Sequence, residues 1–195
     1  MRKRFLVIVM LALLLASGVE ARKIRPLTGF GLSAEAGYWS HAGGSAYFDM
    51  GIQGGLRVCY RFEPGDLELF GFFDFTYILP KDGGALGEDE TATLLTFGVC
   101  PRVSFLPDNW ISPFVSAGPA FQLRQTSLGL SDPGDDTFSY TYDAANFAAV
   151  AELGAEFPFP PHSLAEVGVR LHHIFAEEGQ GFAGLSFFAG YAYYF

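Results

Sequence analysis

Large apolar residues recur at every second position along most of the chain, in eight runs separated by clusters of Gly, Pro, Asp and Asn. Phe30, Leu32, Ala34, Ala36 and Tyr38 alternate with Gly31, Ser33, Glu35 and Gly37. A second run sets Phe48, Met50, Ile52, Leu56, Val58, Tyr60 and Phe62 against Asp49, Gln53, Arg57, Cys59 and Arg61. Glu63-Pro64-Gly65-Asp66 turns into a third, with Leu67, Leu69, Phe73, Phe75 and Tyr77 opposite Glu68, Phe70, Phe72, Asp74 and Thr76. Runs follow from Leu95 to Phe105, from Ile111 to Arg124, from Asn146 to Phe157 and from Ala165 to Phe175. The last places Phe187, Ala189, Tyr191, Tyr193 and Phe195 on one face. A side-chain period of two, repeated eight times without a helical pattern between, predicts an all-β, eight-stranded antiparallel up-and-down transmembrane β-barrel. The connections alternate long and short, with Pro80 to Glu90 and Thr126 to Asp143 read as long outer loops.

Charge provides an independent check on that register. Once the apolar residues fix the outer face, Glu35, Asp49, Arg57, Arg61, Glu68, Asp74, Arg102, Arg124, Glu152, Glu156, Glu166 and Arg170 all fall on the inner one. An Arg turned to lipid at mid-bilayer costs about 2 to 4 kcal/mol, so register is strongly enforced. An eight-stranded barrel is only about wide enough to be filled by side chains. The interior therefore reads as a salt-bridged plug of Arg57, Arg61, Glu68, Arg102, Glu152, Glu156, Glu166 and Arg170, with no general pore; a proton or small-ion path is the competing use of those charges.

The start of the chain fits export. Arg2, Lys3 and Arg4 precede an apolar run from Phe5 to about Ala16, and Val19-Glu20-Ala21 supplies small residues for cleavage before Arg22. Residues 1–21 read as a cleaved signal peptide and 22–195 as the barrel, in the outer membrane of a Gram-negative cell. The formal charge is −9; three positive charges and one negative leave with the signal, taking it to −11. Nucleic acid is a poor partner for such a chain. Cys59 and Cys100 face inward on the second and fourth strands. Two strand spacings of about 4.8 Å separate them, more than the roughly 7 Å that a disulfide spans between α-carbons. Buried thiols are expected. His41, His162, His172 and His173 form no adjacent ligand set, so no metal and no cofactor is expected.

His173 is the one histidine or charged residue placed toward lipid. Around it, EVGVRLHHIFAEEGQGFAGLSFFAGYAYYF, from Glu166 to Phe195, resembles the carboxy-terminal strands of the outer-membrane lipid A deacylases, a family of eight-stranded acyloxyacyl hydrolases. The segment NWISPFVSAGPAF is similar to a pattern in that family and in many other small barrels. The resemblance implies a lipid-facing His, a Ser two residues later and an acid early in the last strand. His173 matches the His. Phe175 stands at the Ser position, Ala176-Glu177-Glu178 replaces an Asn-rich continuation, and Leu185 and Phe187 occupy the stretch where the acid belongs. A hydrolase needs a nucleophile that a neighbouring base activates, so the copied mechanism fails here. His173 is left as the sole catalytic candidate.

The expected role is that of a small monomeric surface barrel, structural or adhesin-like, with lipid A hydrolysis as the alternative. Its partners are outer-membrane lipids, lipopolysaccharide included. Asp132, Asp135, Asp136 and Asp143 with Phe138, Tyr140 and Tyr142 make the 126–143 loop a candidate surface for an extracellular ligand. Resemblance to outer-membrane proteins implies that Tyr191, Tyr193 and Phe195 serve as the insertion signal read by the barrel assembly machinery.

Overall fold

The computed structural model describes residues 26–41, 50–79, 91–128, 139–159, 161–175 and 182–195. The signal segment, Asp49, the acids Asp132, Asp135 and Asp136, and Glu177 and Glu178 lie outside the described residues. Eight strands follow in order: β1 (Gly29–His41), β2 (Met50–Arg61), β3 (Leu67–Leu79), β4 (Thr91–Ser104), β5 (Ser112–Leu128), β6 (Ser139–Phe159), β7 (Ser163–Phe175) and β8 (Phe182–Tyr194). Each pairs antiparallel with its chain neighbours, and β8 returns to β1, so the sheet closes into a barrel. The seam runs from Gly31 opposite Tyr194 to His41 opposite Gly184. The Phe195 N–H extends it, donating to the Phe30 carbonyl at 2.8 Å.

The alternation read from the sequence becomes an inside and an outside. Along β2 the exposed residues are Met50, Ile52, Leu56, Val58 and Tyr60, while Gln53, Arg57, Cys59 and Arg61 are buried. Leu56 is 64% exposed and Arg57 3%, the reverse of a water-soluble protein and the arrangement acyl chains demand. Outward aromatics gather near both rims. Phe30, Tyr60 and Phe62 meet edge to face at the short-turn end, with successive centroids 4.9 Å apart. Phe147 and Phe175 stack at 5.9 Å at the other. The β2–β3 turn is held by the Phe62 N–H donating to Leu67 O at 2.9 Å, with Gly65 at φ 106°, where a side chain would be strained.

Two details depart from the sequence reading. The 126–143 loop is shorter than expected, because β5 continues to Leu128 and β6 begins at Ser139, with Thr126 opposite Thr141 and Ser127 opposite Tyr140. Thr and Tyr in alternation favour a strand, which the acids of that stretch obscure. β4 begins at Thr91, directly after the Pro80 to Glu90 stretch read as a loop. A bulge between Gln122 and Arg124 leaves Arg124 half-buried, not fully inside, and in register with Asp143. Pro101 and Pro119, which cannot donate to a ladder, fall where the β4–β5 pairing is interrupted, between Gly98 opposite Ala120 and Arg102 opposite Ser116, and resumes in the same register.

Candidate functional site

Going round the wall, the inward charges of the network come from six strands, β1 to β4, β6 and β7, and closure brings them together. Arg102, on β4, reaches four carboxylates: Glu166 at 2.7 Å, Glu152 at 3.1 Å, Glu156 at 3.2 Å and Glu68 at 3.6 Å. Arg57 bridges Glu35 to Glu152 and Glu166, the last two at 3.1 Å. Arg61 takes Glu156 at 2.6 Å and Glu68 at 2.8 Å. Arg170 holds Glu152 at 2.6 Å, Glu35 at 2.5 Å and Asp74. Arg57, Arg61, Glu68, Arg102, Glu152, Glu156, Glu166 and Arg170 thus form one continuous network, which also takes in Glu35 and Asp74. Hydroxyls complete it: Ser116 donates to Glu152 at 2.9 Å and Tyr194 to Glu68 at 2.5 Å.

The alternation did not reveal the second half of this packing. Aromatic rings lie over every guanidinium of the network: Phe70 and Phe188 against Arg57, Phe70 and Phe114 against Arg102, Phe72 and Phe188 against Arg170, and Tyr194 against Arg61. The Arg102 carbon sits 4.0 Å from the Phe114 centroid. A planar, weakly hydrated cation can stack in this way while its edge makes hydrogen bonds, which an ammonium cannot. The presence of Phe on inward positions of β3 was the available signal.

The network leaves little room. A cavity of about 10 Å³, space for one water, lies among Ser33, Arg57, Glu68, Arg102, Glu166 and Tyr194. Trp39, Ile78, Ala92 and Leu94 form a buried apolar cluster toward the outer-loop end. Cys59 and Cys100 are buried free thiols, with Phe70 between them in register. Among the described residues no three His, Cys, Asp or Glu side chains converge as a metal requires.

His173 lies on the opposite side of the wall, exposed, beside an open apolar groove of about 490 Å³ formed by small residues of β5 and β6: Ala117, Gly118, Pro119, Ala149 and Ala151. Its cross-strand neighbours are Ala149 and Ala183, and its ring meets Phe175 edge to face at 4.7 Å. Among these neighbours there is neither hydroxyl nor carboxylate. His172 points inward, 3.3 Å from the Ser186 hydroxyl. Tyr191, Tyr193 and Phe195 are exposed on the outer face of β8 and just beyond it, with the Tyr193 and Phe195 rings 5.4 Å apart.

An ion-filled interior inside an apolar wall of eight meandering strands defines a class: the chain has the fold of the small outer-membrane β-barrels. Among solved structures it is similar to Neisserial surface protein A (NspA), with a TM-score of 0.63 at 16% identity over 86% of this chain and 98% of that one. It is similar to a major outer membrane protein from Thermus thermophilus, at 0.58 and 14% identity over 85% and 99%. The outer membrane enzyme PagL matches at 0.50 and 19% identity, over 82% and 97%. No family profile and no curated protein sequence matches the chain.

Proposed function

We propose that the protein is a monomeric outer-membrane barrel with a structural or surface-interaction role, whose lumen is closed to solutes. The observation that carries this reading is the lumen itself, where four buried guanidinium groups and their stacked rings pack among six buried carboxylates, with a cavity of about 10 Å³ beside Arg57 and Arg102. A wall that exposes Leu56, Ile52 and Phe187 supports contact with lipid, lipopolysaccharide included. Residues 1–21 act as the export signal, Tyr191, Tyr193 and Phe195 as the segment the assembly machinery recognises, and the connection between β5 and β6 as the contact with an extracellular partner. Single-channel recording in planar bilayers tests closure: the purified barrel gives no conductance steps, and regular steps would overturn the reading. Deleting residues 129–138 removes surface binding while the barrel still assembles; binding that survives the deletion places the contact elsewhere.

A second reading, acyl hydrolysis of lipid A, is favoured by one observation, the groove beside His173 on a fold shared with PagL. The neighbours Ala149, Ala183 and Phe175 supply neither a nucleophile nor an acid to orient the imidazole. Mass spectrometry of lipid A incubated with the protein should show no loss of an acyl chain. A loss abolished by His173→Ala would establish the enzyme.

A further inference from the structure

The sealed network is not neutral. Arg57, Arg61, Arg102 and Arg170 face Glu35, Glu68, Asp74, Glu152, Glu156 and Glu166, all of them buried. Arg124 stands nearer the outer rim, in register with Asp143. Two negative charges in excess, held inside a barrel walled by apolar residues, carry a desolvation penalty of several kcal/mol each. Neutral hydrogen-bond donors can take up part of that excess; the rest needs a counter-charge.

The geometry points to where it sits. Glu35 and Asp74 both lie opposite Gly55, on either side of it. Gly55 has no side chain, and the space where its Cβ would stand is taken by these two groups: that position falls against Asp74 Oδ1 and 3.0 Å from Glu35 Oε1. The two carboxyls therefore converge on one spot above Gly55. Asp74 is also the least compensated acid of the set. Among the described residues its Oδ2 meets only Arg170 and no donor reaches its Oδ1, although the residue is wholly buried. By contrast Glu152 meets three guanidiniums.

We propose that Asp74 and Glu35 share one proton above Gly55, so that the pair carries a single negative charge at neutral pH. Two carboxylates this close do not both ionise in a dry site, and a proton on one lets it donate to the other. Arg57 and Arg170 hold the remaining charge from β2 and β7, with Glu152 facing them from β6 and Thr96 uncharged on β4. The other excess charge is met by the hydroxyl donors Tyr194, Ser104 and Ser116. An imidazolium at His172 is the competing counter-charge. It fits poorly, since Nδ1 has no acceptor and Arg170 lies two residues away on the same face. A metal cation would be pressed against Arg170 and Arg57.

Infrared spectroscopy of the barrel in lipid, in light and heavy water at neutral pH, tests the proposal. The wild type shows the carbonyl stretch of one un-ionised carboxylic acid, shifted by deuteration. Asp74→Asn and Glu35→Gln each lose it, and Glu166→Gln keeps it. The wild-type band alone decides if a variant does not assemble. No band in the wild type, a band surviving both substitutions, or nitrogen chemical shifts showing His172 as imidazolium would overturn the proposal. So would an unfolding midpoint that rises on titration with sodium, potassium or calcium ions.

Discussion

Arg102 touches four carboxylates and packs against two rings, Phe70 and Phe114, so its worth lies in shape as much as in charge. Arg102→Met strands Glu68, Glu152, Glu156 and Glu166 with less cation than they need; breaking such a buried set costs about 3 to 5 kcal/mol. Arg102→Lys keeps the charge and still loses most of that stability, since an ammonium can neither fork among several acids nor stack on Phe70 and Phe114. Urea unfolding in lipid vesicles measures both. The cysteines give a second test. Cys59 and Cys100 are buried behind the wall with Phe70 between them, so a maleimide labels neither in the folded barrel and both after denaturation. Labelling of the native protein would mean that the lumen opens to solutes.

At the scale of the strand, alternation decides what may be substituted where. Leu56 and Arg57 are neighbours in β2, yet Leu56→Arg puts a charge into acyl chains at about 2 to 4 kcal/mol, as read from the shift in unfolding free energy. The same substitution near a rim, at Phe62, costs roughly 0 to 1 kcal/mol. This period of two is why the strands and their facing were legible in the sequence. Even β3, aromatic on both faces, was oriented correctly by Glu68 and Asp74, because a charge has only one tolerable side. Legibility stopped where the period stops informing. The bulge at Arg124 shifts a strand by a residue that no pattern marks, and β6 starts earlier than the acids near Asp143 had indicated. The pairing partners were hidden for a different reason. Arg57 with Glu166 or Arg102 with Glu166 follows from the stagger of strands around the closed barrel, a property of the whole sheet. The rings stacked on the guanidiniums were hidden too, because an inward Phe reads simply as filler.

The molecule as a whole inverts the usual placing of its ionic groups, and this sets its response to salt. Surface pairs weaken as added ions screen them, but pairs sealed behind the wall are beyond the reach of mobile ions. The unfolding midpoint in neutral lipid should therefore stay nearly constant between about 0.05 and 0.5 M sodium chloride. A steep fall would mean that electrolyte enters the lumen.

The seam between β1 and β8 joins the two ends of the described chain, Gly31 to Tyr194. Until that last ladder zips, two raw edges remain and the arginines look out through a gap toward solvent or lipid. Half-built forms therefore have no dry interior in which to match their ions, and the cooperative gain arrives only when the cylinder shuts. Assembly should behave as a latch: slow to engage because its partners are the most distant along the polypeptide, and slow to release once the ring is whole.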